Sequence, residues 1–171
     1  LGIIWKDLGN LKDAELSTRN AIKIKPDYAD AHSNLGNILR DLGNLKDAEL
    51  SIRKAIEINP NFANAHLNLG NILKDLGKLQ EAETSTRKAI EINPNFADAH
   101  YNLGDILKVI GKLQDAELAT RKAIELKPDY ADAYYSLSLL KYSDKDKIWQ
   151  DQLFSESILN NKSKKDKVNI Y

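Results

Sequence analysis

The sequence predicts an all-α fold, a solenoid of antiparallel helix pairs, on the basis of three observations. The chain of 171 residues repeats itself, and residues 29–62 match residues 63–96 at 26 of 34 positions. Within each copy, apolar residues recur at helical and not strand spacing. Glycine and proline recur between these apolar segments, where both residues end helices. A period of this length is typical of stacked helical hairpins, which bury their apolar faces against one another.

The repeat divides the chain into an array, residues 1–142, and a divergent tail, residues 143–171. The array consists of a partial repeat, three full repeats and a final partial repeat: 1–28, 29–62, 63–96, 97–130 and 131–142. About three repeats are needed for a stable stack. The array is therefore long enough to fold.

Each full repeat contains two predicted helices. In residues 29–62, the first helix runs from Asp30 to Leu42, and Gly43 supplies the left-handed position that stops it. The second helix runs from about Leu45 to Ile58. It ends before Pro60, because proline cannot continue a helix and disfavours helical geometry in the preceding residue.

Polar side chains are expected to support both helices. An aspartate or asparagine precedes each first helix and is predicted to accept from its free backbone N–H groups: Asp27, Asn61, Asn95 and Asp129. In the second helix, Glu49, Arg53 and Glu57 are spaced four apart. We expect exposed ion pairs among them, each contributing a few tenths of a kcal/mol.

The period and its fixed positions resemble the tetratricopeptide repeat. Leucine and glycine stand at the seventh and eighth positions, alanine at the twentieth and twenty-seventh, and proline at the thirty-second: Leu35, Gly36, Ala48, Ala55 and Pro60 in the first full repeat. The small residues are needed where the two helices approach closely. The resemblance implies a right-handed superhelix whose concave groove binds protein or peptide partners.

Two positions depart from the family pattern. The fourth position holds a histidine in every full repeat: His32, His66 and His100. The twenty-fourth holds Thr18, Ile52, Thr86 or Thr120 where an aromatic residue is common. Histidines one repeat apart are about 10 Å from each other, too far to share a zinc ion. We therefore expect the histidines to have a packing role and predict no metal site.

The candidate binding residues lie on one side of each first helix. At about 100° per residue, positions 2, 5, 6, 9, 12 and 13 lie opposite the apolar arc, and the resemblance implies that they line the groove. The groove candidates are Asn34, Asn37, Arg40, Asn68, Asn71, Lys74, Tyr101, Asn102, Asp105 and Lys108. Ser33 and Leu67, at position 5, are placed on the same arc.

Asparagine recurs on this arc although it costs about half a kcal/mol in a helix relative to alanine. An asparagine amide can bond both the N–H and the C=O of one peptide unit. Helices stacked about 8 to 10 Å apart match three residues of extended chain. We therefore predict that Asn34, Asn68 and Asn102 form a ladder that holds a polypeptide backbone. Alternatively, these side chains bond neighbouring helices, face water or were copied by recent duplication.

The ladder resembles the tetratricopeptide region of protein O-linked N-acetylglucosamine transferases, where such asparagines hold substrate polypeptide. Three functions are compatible with the sequence. The leading hypothesis is a protein-interaction scaffold that binds an extended polypeptide. The second is the substrate-presenting region of a larger glycosyltransferase or sulfotransferase, with the catalytic domain outside these residues. The third is a structural spacer or an array that self-associates end to end.

Composition argues against several other functions. Twenty-five basic and twenty-five acidic residues give zero net charge, so no global field attracts nucleic acid or a membrane. The absence of cysteine excludes thiolate chemistry and suits a reducing compartment, so a cytoplasmic location is expected. Carboxylates recur once per repeat on solvated faces, and no phosphate-binding glycine loop occurs. We predict no enzyme activity, no catalytic residue and no cofactor.

The tail follows another pattern. Asp146 to Asn160 is predicted to form one helix that caps the array, because its apolar residues spread around much of its circumference. The lysine-rich residues 162–167 are expected to be a solvated linker. The chain begins at Leu1 and contains no methionine, and on this basis we expect it to be a piece of a longer protein.

Overall fold

A computed structural model describes residues 10–140. Within this range the chain forms eight α-helices and no strand, and none of these helices is long and apolar enough to cross a membrane. In chain order they are α1 Leu11–Ile24, α2 Ala29–Asp41, α3 Leu45–Ile58, α4 Ala63–Asp75, α5 Leu79–Ile92, α6 Ala97–Ile110, α7 Leu113–Leu126 and α8 Ala131–Leu139. The predicted all-α array of helix pairs is confirmed. The predicted cap helix and the lysine-rich linker lie outside the described residues.

The described residues divide into two compact units, one ending at residue 94 and the other beginning at residue 95. In the first unit, α2 pairs with α3 and α4 with α5, while α1 packs on α2 and α3 packs on α4. The two first helices α2 and α4 also contact each other. In the second unit, α6 pairs with α7, and α7 contacts α8. Each helix therefore packs mainly on its neighbours in sequence, as expected of a repeat array.

The core follows the apolar arc predicted for the first helices. Ile38 and Leu39 of α2 and Ile72 and Leu73 of α4 are fully buried, as is Ile52 of α3. In the second unit Ile106, Leu107 and Leu137 are buried in the same way. Burying a side chain of this size contributes about 1.5–3 kcal/mol. The polar residues of the first helices are thereby placed on the opposite side.

The turn within each helix pair depends on a glycine. Gly43, Gly77 and Gly111 have φ values of +80°, +75° and +89°, in the left-handed region where only glycine is unstrained. At Gly43, its own N–H donates to Arg40 O at 2.9 Å and the next N–H, of Asn44, to Leu39 O at 2.8 Å. The predicted stop at Gly43 is confirmed.

The predicted caps of the first helices are wrong. The residues at the cap positions are Tyr28, Phe62, Phe96 and Tyr130, and none makes a side-chain cap hydrogen bond. Asp27 and its equivalents precede the cap position by one residue. The histidines tie the first helix to the preceding loop instead. His32 Nε2 donates to Pro26 O at 2.8 Å, and His66 Nε2 donates to Pro60 O at 2.9 Å.

Candidate functional site

The first-helix face of the first unit is formed by six of the predicted groove residues. All six are half-buried side chains on the adjacent helices α2 and α4: Asn34, Asn37, Arg40, Asn68, Asn71 and Lys74. The apolar arc of each helix is buried in the core, so the turn of the helix presents positions 6, 9 and 12 on the other side. The structure therefore brings these six residues onto one surface.

The cations of this face are already engaged. Arg40 Nε of α2 donates to Asp75 Oδ2 of α4 at 2.5 Å, and both side chains are about one-third exposed. Lys74 also has an interaction partner. The Arg40–Asp75 pair crosses from one repeat to the next and neutralises its own charge. The face therefore offers little net charge with which to select a ligand.

One asparagine of the predicted ladder bonds to a neighbouring helix. Asn68 Nδ2 donates to Ser33 Oγ across α2 and α4, with a long distance of 3.4 Å. Ser33 is 3 % exposed and Leu67 is 7 % exposed, so the prediction that position 5 lines the groove is wrong for both residues. Ser33 is buried where α2 contacts α4. At Asn68 the alternative interpretation of the ladder has direct support.

Three other asparagine side chains of the face have no partner among residues 10–140: Asn34, Asn37 and Asn71. Each amide is half-buried and can offer two N–H donors and one carbonyl acceptor. An amide held on a rigid helix loses little further freedom when it binds. The side chains that remain open for hydrogen bonding are therefore a cluster on α2 and α4, which differs from the one-per-repeat ladder.

In the second unit, α6 presents the other four predicted residues, which are half-buried as well: Tyr101, Asn102, Asp105 and Lys108. Lys108 Nζ lies 3.3 Å from Asp105 Oδ1 and donates to Ser136 Oγ of α8 at 3.4 Å. The Asn102 amide has no partner within the described range. In this unit, the basic residue at position 12 thus ties a first helix to the first helix of the following repeat.

An aromatic pair in the second unit was not predicted. The rings of Tyr101 and Tyr130 lie 5.0 Å apart at 44°, and Lys127 Nζ lies 4.5 Å from the Tyr130 ring centre. Burial, together with a hydrogen bond to Asp98, raises the pKa of Tyr130. Burial and the nearby Asp105 raise the pKa of Tyr101. The available signal was Tyr101 itself, an aromatic residue where the other repeats have Ser33 and Leu67.

The candidate metal-binding side chains are dispersed in the described part of the chain. Within residues 10–140, no group of three or more His, Asp or Glu side chains could hold a metal ion. The histidines with defined contacts bond to proline carbonyls. The side chains of α2, α4 and α6 offer amides, phenols and paired charges, which can form hydrogen bonds with a ligand.

Comparison with known families and structures identifies the repeat. Models described as tetratricopeptide repeat match residues 29–62 and 97–130 and residues 52–84, and a model described as TPR repeat matches residues 70–111. Together these matches extend without a gap from residue 29 to residue 130. No curated protein matches the sequence.

Solved structures show the same fold. A crystal structure of MamA is 25 % identical, with a TM-score of 0.73, and the match covers 99 % of this chain and 92 % of that one. PilF of Pseudomonas aeruginosa is 21 % identical, with a TM-score of 0.83 and coverage of 95 % and 73 %. YrrB, described as a TPR protein with an unusual peptide-binding site, is 21 % identical, with a TM-score of 0.65 and coverage of 93 % and 78 %.

Proposed function

The chain belongs to the tetratricopeptide repeat family, and from this premise we propose that it is a protein-interaction scaffold that binds an extended polypeptide on its first-helix face. Tetratricopeptide repeats are typical of such scaffolds, and YrrB, which shares the fold, is described as having a peptide-binding site. The observation that carries the proposal is the cluster of three half-buried amides without partners, Asn34, Asn37 and Asn71.

The chemistry of these amides fits a peptide backbone better than particular side chains. Each amide can donate to a backbone carbonyl and accept from a backbone N–H. The neighbouring cation Arg40 is held by Asp75, so no strong charge competes for acidic or basic side chains. Binding is therefore expected to depend on an extended, unstructured ligand and only weakly on its sequence.

The predicted ladder is revised by this proposal. Asn34 remains a ligand-binding residue, and Asn37 and Asn71 join it. Asn68 has a second role, because its contact with Ser33 helps to hold α4 against α2. Asn102 remains a proposed contact on α6 of the second unit.

The test compares three proteins for binding to a pool of unstructured peptides, by fluorescence anisotropy with helicity checked by circular dichroism. The first is the native chain, and the second carries Asn34→Ala, Asn37→Ala and Asn71→Ala. The third, a matched control, loses three exposed asparagines outside the face, at Asn20, Asn44 and Asn61. A net hydrogen bond contributes about 0.5–1.5 kcal/mol, so we expect the face variant to bind at least about tenfold more weakly.

The control variant is expected to bind like the native chain. Equal binding by all three proteins would refute the amide cluster as the site while leaving a scaffold role elsewhere on the molecule. No binding by any of them would favour the spacer hypothesis. A separate Asn68→Ala variant distinguishes the revised cluster from the original ladder, because the cluster predicts a smaller loss for Asn68 than for Asn34.

A further inference from the structure

A furrow runs between the second helices α3 and α5 of the first unit. It contains two cavities of about 450 and 300 Å³, and both are bordered by Arg53, Thr84 and Ser85. Leu69 and Leu73 of α4 lie one helical turn apart along it. The furrow is thus an apolar channel with charged edges. It shares α4 with the first-helix face, but it is lined by other residues of that helix.

Position 22 of the repeat is an exposed leucine in every repeat except the one in which this position borders the furrow. The position is leucine in three repeats, and these leucines are unusually exposed: Leu16 at 60 %, Leu50 at 66 % and Leu118 at 66 %. In the remaining repeat it is Thr84, which borders both cavities. The first unit therefore carries both a protruding leucine, Leu50, and a channel in which the equivalent leucine is missing.

The residues around Leu50 and around the furrow form two stripes with the same spacing. On α3 the stripe is Asp47, Leu50, Lys54 and Glu57, with steps of three, four and three residues. On α5, beginning one residue before the helix, it is Lys78, Glu81, Ser85 and Lys88, with the same steps. Steps of three and four keep side chains on one helix face. Two helices that carry such stripes can pack so that each residue of one stripe faces one residue of the other.

The two stripes are complementary when the helices run antiparallel. Placing Leu50 opposite Ser85 then places Asp47 opposite Lys88, Lys54 opposite Glu81 and Glu57 opposite Lys78. Every charged position meets the opposite charge, and the leucine meets the furrow. In a parallel arrangement, Asp47 would lie opposite Lys78 and Glu57 opposite Lys88. Leu50, however, would lie opposite the charged Glu81. Lys54 would lie opposite the uncharged Ser85.

We propose that the furrow binds a second copy of this chain, with α3 of each copy lying antiparallel along α5 of the other and Leu50 inserted between α3 and α5. Both stripes lie on one unit, so a two-fold axis repeats the contact twice. The zero net charge of the chain leaves no overall repulsion between copies.

The charges set the register, and the leucine supplies most of the affinity. Within one chain, Lys54 pairs with Glu57 at 2.8 Å and Lys88 pairs with Glu91 at 2.6 Å. Arg53 also lies 3.3 Å from Glu81. Exposed pairs of this kind contribute little, so they can exchange for pairs between copies. Lys78 lies 2.8 Å from the mostly buried Glu49; it keeps that partner and meets Glu57 of the other copy with another of its three N–H donors. Complementary rim charges select the orientation of a complex more than its strength.

The first test is sedimentation equilibrium of the full chain across a range of protein concentrations. We expect a reversible monomer–dimer equilibrium. Leu50→Thr, which installs the residue found at position 84, is expected to weaken dimerisation at least about tenfold, because burying a leucine is worth one or more powers of ten in affinity. Leu16→Thr removes an equally exposed leucine outside the contact and is expected to leave dimerisation unchanged.

The second test exchanges one charge pair. Lys54→Glu places two acidic side chains opposite each other and is expected to weaken dimerisation severalfold, and so is Glu81→Lys. The double variant restores opposite charges across the contact and is expected to recover most of the native association. This recovery is specific to the proposed register, because only that register places residue 54 of one copy opposite residue 81 of the other. Both residues are exposed, so their individual replacement leaves the core intact.

Three results would overturn the proposal. The chain could stay monomeric at every concentration, Leu16→Thr could weaken association as much as Leu50→Thr, or the double charge variant could fail to recover. End-to-end stacking through other surfaces would give association that none of these substitutions changes. Peptide binding by Leu50→Thr, measured as for the native chain, is expected to be unaffected, so this proposal and the proposed function can fail separately.

Discussion

At the residue scale, glycine at position 8 is required by the residue at position 24. A Cβ atom added to Gly36 would lie 2.5 Å from Ile52 Cδ1, and one added to Gly70 would collide with Thr86 Oγ1. The two helices of a pair therefore meet at this point without space for a methyl group. The aromatic residue common at position 24 of the family is replaced here by Ile52 and Thr86, and the contact with the glycine remains close.

Gly70→Ala tests this contact. We expect the substitution to lower the free energy of unfolding by about 1–3 kcal/mol, the usual range for overpacking, as measured by urea denaturation. In a Thr86→Ala background the colliding side chain is absent. Adding Gly70→Ala there is expected to lower the free energy of unfolding by less than it does in the native chain. If alanine at position 70 costs the same in both backgrounds, the Thr86 contact is not the cause.

Thr86 also has an unusual hydroxyl. Thr18 Oγ1 donates to Ala14 O and Thr120 Oγ1 donates to Ala116 O, each at 2.8 Å. Thr86 Oγ1 is buried, and it is the one side-chain polar atom within residues 10–140 that is buried without a hydrogen-bond partner. An unsatisfied buried hydroxyl destabilises the folded state.

Thr86→Val is therefore expected to raise the free energy of unfolding by about 1 kcal/mol, because it removes the unsatisfied group and keeps the shape of the side chain. Thr120→Val is the matched control and is expected to give no such gain, since it removes a hydrogen bond as well. Thermal and urea denaturation of both variants would measure the difference. A loss of stability in Thr86→Val would contradict the assignment.

At the element scale, ion pairs join the second helices of neighbouring repeats. The predicted pair of Glu49 with Arg53 is confirmed at 2.8 Å, whereas Glu57 pairs with Lys54 in place of Arg53. Glu49 also accepts from Lys78 Nζ at 2.8 Å, at the start of α5. This hydrogen bond, together with that from Arg53, lowers the pKa of the Glu49 carboxyl below its ordinary value of 4.5.

Glu49→Gln should consequently change how stability depends on pH. A lowered folded pKa means that the carboxylate stabilises the protein above pH 4.5, and that this contribution is lost as the pH falls through the folded pKa. We expect the variant to be less stable than the native chain at pH 7, by up to about 1 kcal/mol, with the difference vanishing in acid.

The matched control is Glu15→Gln. Glu15 makes the equivalent pair with Arg19 at 2.8 Å, but it has no cross-repeat bond like that of Glu49 with Lys78. Its replacement is expected to have a smaller effect and a weaker pH dependence in the same urea denaturation series. Equal effects from both substitutions would mean that the contact with Lys78 adds nothing to the helix-internal pair.

At the scale of the whole molecule, charge is balanced both overall and locally. The chain has as many acidic as basic residues, and the cation Arg40 of the first-helix face is bonded to Asp75. Long-range electrostatic attraction is therefore expected to contribute little to the proposed peptide binding. The binding proposed for the first-helix face depends on hydrogen bonds formed at short range.

Peptide binding is accordingly expected to be almost insensitive to salt. For uncharged unstructured peptides, we expect the dissociation constant to change less than about twofold when the ionic strength rises from roughly 0.05 to 0.5 M, because screening acts on exposed charges. Fluorescence anisotropy across a salt series measures this directly. A strong loss of binding with salt would show that charged residues such as Lys74 and Lys108 bind the ligand.

The sequence by itself determined the repeat, the helix pairs, the left-handed glycines and the polar side of the first helices. These features are encoded locally. The helical spacing of apolar residues and the residues that end helices depend only on near neighbours in sequence, and both recur with a period of 34 residues. Family membership follows from the same positions. The side of α2 and α4 that carries Asn34, Asn37 and Asn71 was therefore predictable.

Only the tertiary structure decided which of these side chains have partners. Three features depend on how one helix packs on the next, because packing sets the distances and rotamers involved. They are the contact of Asn68 with Ser33, the pair of Arg40 with Asp75 and the unsatisfied hydroxyl of Thr86. The bonds of His32 and His66 to proline carbonyls also depend on how each first helix packs on the preceding loop. Periodicity places a residue on a face, but packing between helices determines whether its polar atoms are occupied or open.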